Sequence, residues 1–282
     1  MTETTTDTRS IEIELTLDAS PERVWKALTD PQELTRWFPL QADVKPGEGG
    51  EIHCNWGDGM EGRHGIRIWS PGKHLQTGWF EPDRPVDGEA PDTVFFRDAE
   101  IRARLVVDYF LEGRDGRTVL RLVHSGFSAA ADWDREFESH HRGWRFELSS
   151  LQNYVENHLG KARDVAWVKR TIELPGAEAW ARIMGKKALL ASGSVNALAT
   201  GDRYEITTVH EDRFEGRVTV NEPPVQFAGT ARNLDHALLR CGIEDCSGKP
   251  EAFFWLSTWG DAALADTFRA RWNETFDRLF ER

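Results

Sequence analysis

Residues 11–28, IEIELTLDASPERVWKAL, decide the fold, because residues 168–184, VKRTIELPGAEAWARIM, repeat them in outline. In the first stretch Ile11, Ile13, Leu15 and Leu17 alternate with Glu12, Glu14 and Thr16, so one face of a strand is apolar. Ser20 then offers an N-cap and Pro21 a first helical position, opening a short helix that carries Trp25. In the second stretch a strand and a turn lead to a short helix that carries Trp180. Two more landmarks recur in the same order. Glu61-Gly62-Arg63 and Glu215-Gly216-Arg217 each lead a strand pattern. Each half then closes on an amphipathic helix, with the stripe Trp144, Leu148, Leu151 in the first and Trp272, Phe276, Leu279 in the second. Four landmarks in one order imply two copies of one fold, the second shortened.

Outward from these landmarks, Asp30-Pro31-Gln32-Glu33 has the form of a capping box and predicts a second short helix over ELTRWF. Strands are predicted over 50–56, 63–69, 74–80, 102–111 and 117–125, separated by turn-forming stretches such as GDG, SPGK and GRDGR. Residues 81–93, EPDRPVDGEAPDT, read as a loop that the second half does not repeat. A long helix is predicted over 130–159, stopped by Gly160. The second half reads as strand 166–174, helix 176–184, strands near 192–199, 203–209, 213–220, 225–231, 236–243 and 252–258, and helix 261–281. The expected division is a disordered tail over 1–9, a first domain over 10–162 and a shortened second domain over 163–282.

One strand, two short helices, a run of antiparallel strands and a long final helix is an α+β order. An antiparallel sheet with one apolar face must cover it, and the final helix is the long element available. The expected fold class is therefore two tandem helix-grip domains, each a curved antiparallel sheet wrapped around its C-terminal helix.

Composition narrows the function. The chain has 282 residues, of which 39% are apolar and 29% charged, a globular composition. A net charge of −12 disfavours nucleic acid and anionic membrane as partners. No apolar run reaches the ~20 residues that span a bilayer, and the polar start gives no sign of a signal peptide, so the expected location is cytoplasmic. Cys54, Cys241 and Cys246 form no CxxC pair and read as reduced thiols. Neighbouring residues such as His140-His141 and His53-Cys54 point to different faces, so no metal site is expected, and no cofactor.

IELTLDASPERVWKALTDPQELTRWF at 13–38, Gly49-Gly50, the strand ending in Gly78-Trp79, and HRGWRFELSSLQNYVENHL at 141–159, with Gly143-Trp144 followed by Leu148 and Leu151, stand out together. These segments closely resemble the branch of the START/birch-pollen-allergen (SRPBCC) superfamily that contains activators of the heat-shock-protein-90 ATPase. The second half carries the pattern in degraded form, with Arg271 where the first has Gly143. The resemblance implies a helix-grip fold with an apolar interior cavity. It implies no shared reaction, because members include lipid and hormone carriers, polyketide cyclases and co-chaperone domains.

Twelve Trp residues are a heavy load of large rings, which fill cores and line pockets equally well. Trp37, Phe38, Trp56, Trp79, Phe127 and Trp144 are the candidate walls of a cavity in the first domain. His124 follows Leu120 and Leu122 at alternate positions, so its imidazole is expected on the cavity side, either as an acid–base group or as a hydrogen-bonded core residue. Asp108 and Arg104, on the other face of the preceding strand, are expected to face water. No P-loop, GxSxG or GxGxxG motif is present.

The leading expectation is non-catalytic binding of a small apolar or lipid-like ligand in the first domain. The alternatives are a co-chaperone-like interaction with a heat-shock chaperone and a cyclase or dehydratase acting on a polyketide-like substrate. The second domain is expected to act as a scaffold standing in for a second subunit, giving a monomer by pseudo-dimerisation; the alternative is a homodimer.

Overall fold

The computed structural model describes residues 7–79, 104–244 and 250–280. The chain divides into two compact units, Met1–Leu159 and Gly160–Arg282. Each is an antiparallel sheet covered by a long helix, the α+β tandem helix-grip arrangement.

In the first unit, β1 (Thr8–Leu17) leads into α1 (Pro21–Thr29) and α2 (Pro31–Leu34). Then follow β2 (Gln41–Lys45), β3 (Glu51–Gly57), β4 (Met60–Ser70), β5 (His74–Trp79), β6 (Val106–Arg114), β7 (Arg117–Ser128) and α3 (Asp134–Asn157). The sheet order is β1-β7-β6-β5-β4-β3-β2. Pairing carries one face across it: Ile11, His124, Val107, Thr77 and Ile66 stand side by side on β1, β7, β6, β5 and β4. All five are buried. The next row is Ile13, Leu122, Tyr109, Leu75 and Trp69. The alternation in residues 11–17 thus sets the inward face, because cross-strand partners share a side.

Three interactions position the helices over that face. Asp30 caps α2 by accepting from the backbone N–H of Gln32 and Glu33, at 2.9 and 3.1 Å. Glu33 does not close the expected capping box. It turns inward, buried, to accept from the Tyr154 hydroxyl of α3 and to pair with Arg36. The helix over ELTRWF is also shorter than expected: α2 ends at Leu34, and Trp37 and Phe38 sit in the turns that follow. Ser150 of α3 then donates to the Trp37 carbonyl at 2.8 Å.

The second unit runs β8 (Arg163–Thr171), α4 (Gly176–Ile183), β9 (Arg203–Thr207), β10 (Arg213–Glu222), β11 (Gln226–Ala231), β12 (Ala237–Glu244), β13 (Glu251–Trp259) and α5 (Ala262–Phe280). Its sheet order, β8-β13-β12-β11-β10-β9, repeats the first without a counterpart of β2. The strand expected at 192–199 is absent; a single bridge from Ser192 to Thr207 stands where β2 would pair. Gly193 at φ +93° brings the backbone against Glu205, where a Cβ would lie 2.4 Å from the carbonyl oxygen. The segment crosses the sheet edge instead of extending it.

Other differences are smaller. Strand β2 escapes the sequence pattern because only Ala42 and Val44 of its five residues are inward. Thr8 and Arg9, expected in the tail, already belong to β1, whereas residues 1–6 and the loop 81–93 lie outside the described residues. Asp108 does not face water: it is only 9% exposed, accepts from Gln76 at 2.8 Å and pairs with His74 at 2.7 Å on the outer face. Cys54 and Cys241 are free thiols, both buried; Cys246 lies outside the described residues. None of the described helices is long and apolar enough to cross a membrane.

Candidate functional site

The inward face of the first sheet and the facing side of α3 bring six of the seven candidate residues into one network of rings. Trp37 stacks on Phe38 at 5.0 Å. Phe38 meets Trp56 edge-on at 5.2 Å and lies parallel to Trp144 at 6.0 Å. Trp144 reaches Tyr109 at 6.1 Å and His124 at 6.0 Å, and His124 meets Phe127 at 4.6 Å. The seventh, Trp79, ends β5, where its backbone pairs with His64; its side chain lies outside the described residues.

The six differ in what they present. Trp37 and Phe127 are fully buried. Trp37 donates its indole N–H to the Ala27 carbonyl at 2.8 Å, and Phe127 packs among Ile11, Leu105, Trp133 and Phe137. Phe38, Trp56 and Trp144 keep accessible surface although they belong to the same inward network.

His124 is 4% exposed and lies where alternation with Leu120 and Leu122 places it. The indole N–H of Trp144 donates to its Nδ1 at 2.9 Å. An indole nitrogen can only donate, so Nδ1 carries the lone pair and the proton sits on Nε2. Burial lowers the basicity of His124 well below the usual imidazole range, and the neighbouring His140 and His64 push the same way. His140 is likewise lowered by burial, and its Nδ1 donates to the Glu136 carbonyl. His64, inward on β4, is pushed down to about 4, mainly by burial. The histidines here are neutral.

Sequence reasoning missed three further polar groups. Burial pushes the Cys54 thiol up to about 12 and raises the Tyr109 phenol, and the Glu147 carboxylate of α3 adds to both shifts. Glu147 is thus close enough to both to couple electrostatically. A signal existed: Glu147 lies three residues after Trp144 and one before Leu148, on the inward stripe of the helix, where an acid is out of place. Among the described residues no group of three His, Cys, Asp or Glu could hold a metal.

A separate cleft of about 620 Å³ opens near the other end of β6, between Trp25, Pro71, Lys73 and Leu111, with Glu22 and Glu112 at its rim.

The second unit repeats the scaffold with other contents. Counting back from Trp25 and Trp180 aligns Ile11 with Ala166 and Ile13 with Val168. Strand register then aligns His124 with Leu256 and Tyr109 with Cys241. Through Gly62 and Gly216 it aligns Cys54 with Tyr204. The Cys and Tyr have exchanged strands, and the histidine has become leucine. Trp272, the counterpart of Trp144, is fully buried with its indole N–H unpartnered. It packs on Phe254 at 4.2 Å within one continuous apolar core.

Residues 18–156 match the family model described as Activator of Hsp90 ATPase homolog 1-like protein. No curated protein matches the sequence. Among solved structures, the chain is similar to protein MLL2253 from Mesorhizobium loti at 25% identity, covering 51% of this chain and 94% of that one, TM-score 0.40. It is similar to the Aha1 dimer from Colwellia psychrerythraea at 22% identity, covering 54% and 99%, TM-score 0.41. The di-domain ARO/CYC BexL from the BE-7585A biosynthetic pathway is 14% identical, covering 96% and 92%, TM-score 0.41.

Proposed function

We propose that the first unit, whose residues 18–156 match the family model described as Activator of Hsp90 ATPase homolog 1-like protein, binds a small, largely apolar ligand between its sheet and α3. The observation that carries this is the half-buried state of Phe38, Trp56 and Trp144 on the inward network. Large rings that fill a core lose their accessible surface, as Trp272 does in the second unit. Rings that keep it beside a few fixed polar groups have the composition of a ligand site. The second unit, filled by its own core, serves as scaffold and leaves the chain a monomer.

Native mass spectrometry after incubation with an extract of the producing organism should show a non-covalent adduct, and Trp56→Ala should weaken it. An adduct unaffected by Trp56→Ala and Trp144→Ala, or no adduct at all, would overturn the reading.

A second reading is supported by the Glu147 carboxylate, which couples to Tyr109 and Cys54 on the inward side: an acid–base enzyme of the cyclase or dehydratase kind. Conversion of the bound adduct to a product of different mass, abolished in Glu147→Gln, would favour it. A heat-shock-chaperone partner rests on the family description alone, and an unchanged chaperone ATPase rate would remove it.

A further inference from the structure

We infer that the ligand of the first unit carries a hydrogen-bond acceptor on its ring system, a carbonyl, ether or phenolic oxygen, that takes the Nε2–H of His124. This rests on the binding reading above and names the class of ligand. Three observations carry it.

The Trp144 indole occupies Nδ1, so the imidazole presents Nε2 as a donor and not as a base. Among the described residues the hydrogen bond that His124 makes is the one at Nδ1, and its side chain is only 4% exposed. Nε2 is not one of the fully enclosed atoms left unpartnered, so it keeps the access that an acceptor from outside needs, and an acceptor there satisfies a donor held in apolar surroundings.

The setting fits such an acceptor. Ile11 and Val107 flank His124 in its row, and Phe127 and Trp144 meet it with their rings. Apolar surroundings make a single fixed donor strongly discriminating, because an analogue lacking the oxygen leaves it unsatisfied. The second unit shows the same frame with this function removed. Leucine replaces the histidine, the core closes, and the Trp272 donor is left unpartnered.

The test compares 9-fluorenone with fluorene, which match in shape and differ in a carbonyl oxygen. Binding is read from the indole 1H–15N resonances of the full chain, with Trp144 assigned by its loss in Trp144→Phe. Fluorenone should bind about tenfold more tightly than fluorene, the factor expected for one satisfied buried donor. In His124→Leu the preference should collapse to about one while fluorene still binds. In His124→Gln, whose amide can donate, part of the preference should remain.

Equal affinity of the unaltered protein for the two probes overturns the inference and leaves the binding reading standing. So does a preference that persists in His124→Leu. If that variant does not fold, the comparison on the unaltered protein and on His124→Gln still decides. Binding of neither probe, together with no adduct from the extract, overturns the binding reading and the inference with it.

Discussion

The Trp144–His124 hydrogen bond ties α3 to β7 on the inward face, and a double-mutant cycle measures it. Trp144→Phe leaves the buried Nδ1 without a donor, and His124→Leu leaves the indole N–H without an acceptor. Each orphaned group costs roughly 1–3 kcal/mol. The double variant leaves neither, so urea unfolding should show a coupling of about 1–2 kcal/mol; strict additivity would mean the bond contributes nothing. The histidines also give the unit a pH profile with a definite sign. His64, His124 and His140 all have folded values below the ordinary one, so the unfolded chain binds more protons than the native one in acid. Stability should be intact above about pH 6.5 and fall as pH drops toward 4, by on the order of 2 kcal/mol or more. A flat urea midpoint from pH 7 to 4.5 would contradict this. The thiols behave oppositely: Cys54, pushed up to about 12, and Cys241, raised by burial, stay protonated at pH 8. Native protein should therefore offer iodoacetamide at most the single thiol of Cys246, and unfolded protein all three.

Elements are held in place by polar clamps that periodicity does not reveal. Tyr154 of α3 donates to buried Glu33, which also pairs with Arg36, tying the turns that carry Trp37 and Phe38 to the helix. Tyr154→Phe deletes one donor to a buried carboxylate and should cost about 1–3 kcal/mol of stability by urea unfolding. It should also weaken ligand binding, since Phe38 loses its anchor; unchanged binding would show that the turn is held by packing alone. This clamp marks the limit of legibility. Strands β1 and β7 are readable because their apolar residues alternate, and the same alternation places His124 inward. The repeated Glu-Gly-Arg landmark fell on the corresponding strands β4 and β10. Residues 192–199 differ from the strand expected there because Ala, Val and Leu supply apolar positions without a neighbouring ladder to accept them. Glu33 was legible as part of a cap but not as a partner of Tyr154, 121 positions away. Long-range register, not propensity, decided that choice.

At the scale of the molecule, two units with the same strand order fill their frames differently. The first unit keeps half-buried rings and neutral polar groups between sheet and helix, a cost in stability that a ligand can offset. The second replaces His124 by Leu256 and encloses Phe254, Phe268, Trp272 and Phe276 in one core. Two compact units with separate cores should unfold in two calorimetric steps, the first unit melting lower. Phe254→Ala should remove about 3–5 kcal/mol from the upper step, and Trp56→Ala, at a half-buried ring, far less from the lower one. A ligand that binds only the first unit raises its stability by RT ln(1 + [L]/Kd), about 2.7 kcal/mol at a hundredfold excess over Kd. Fluorenone should accordingly move the lower transition upward and leave the upper one in place. Equal movement of both transitions would mean that the second copy also binds, or that the two unfold as one, and either result would refute the division of labour.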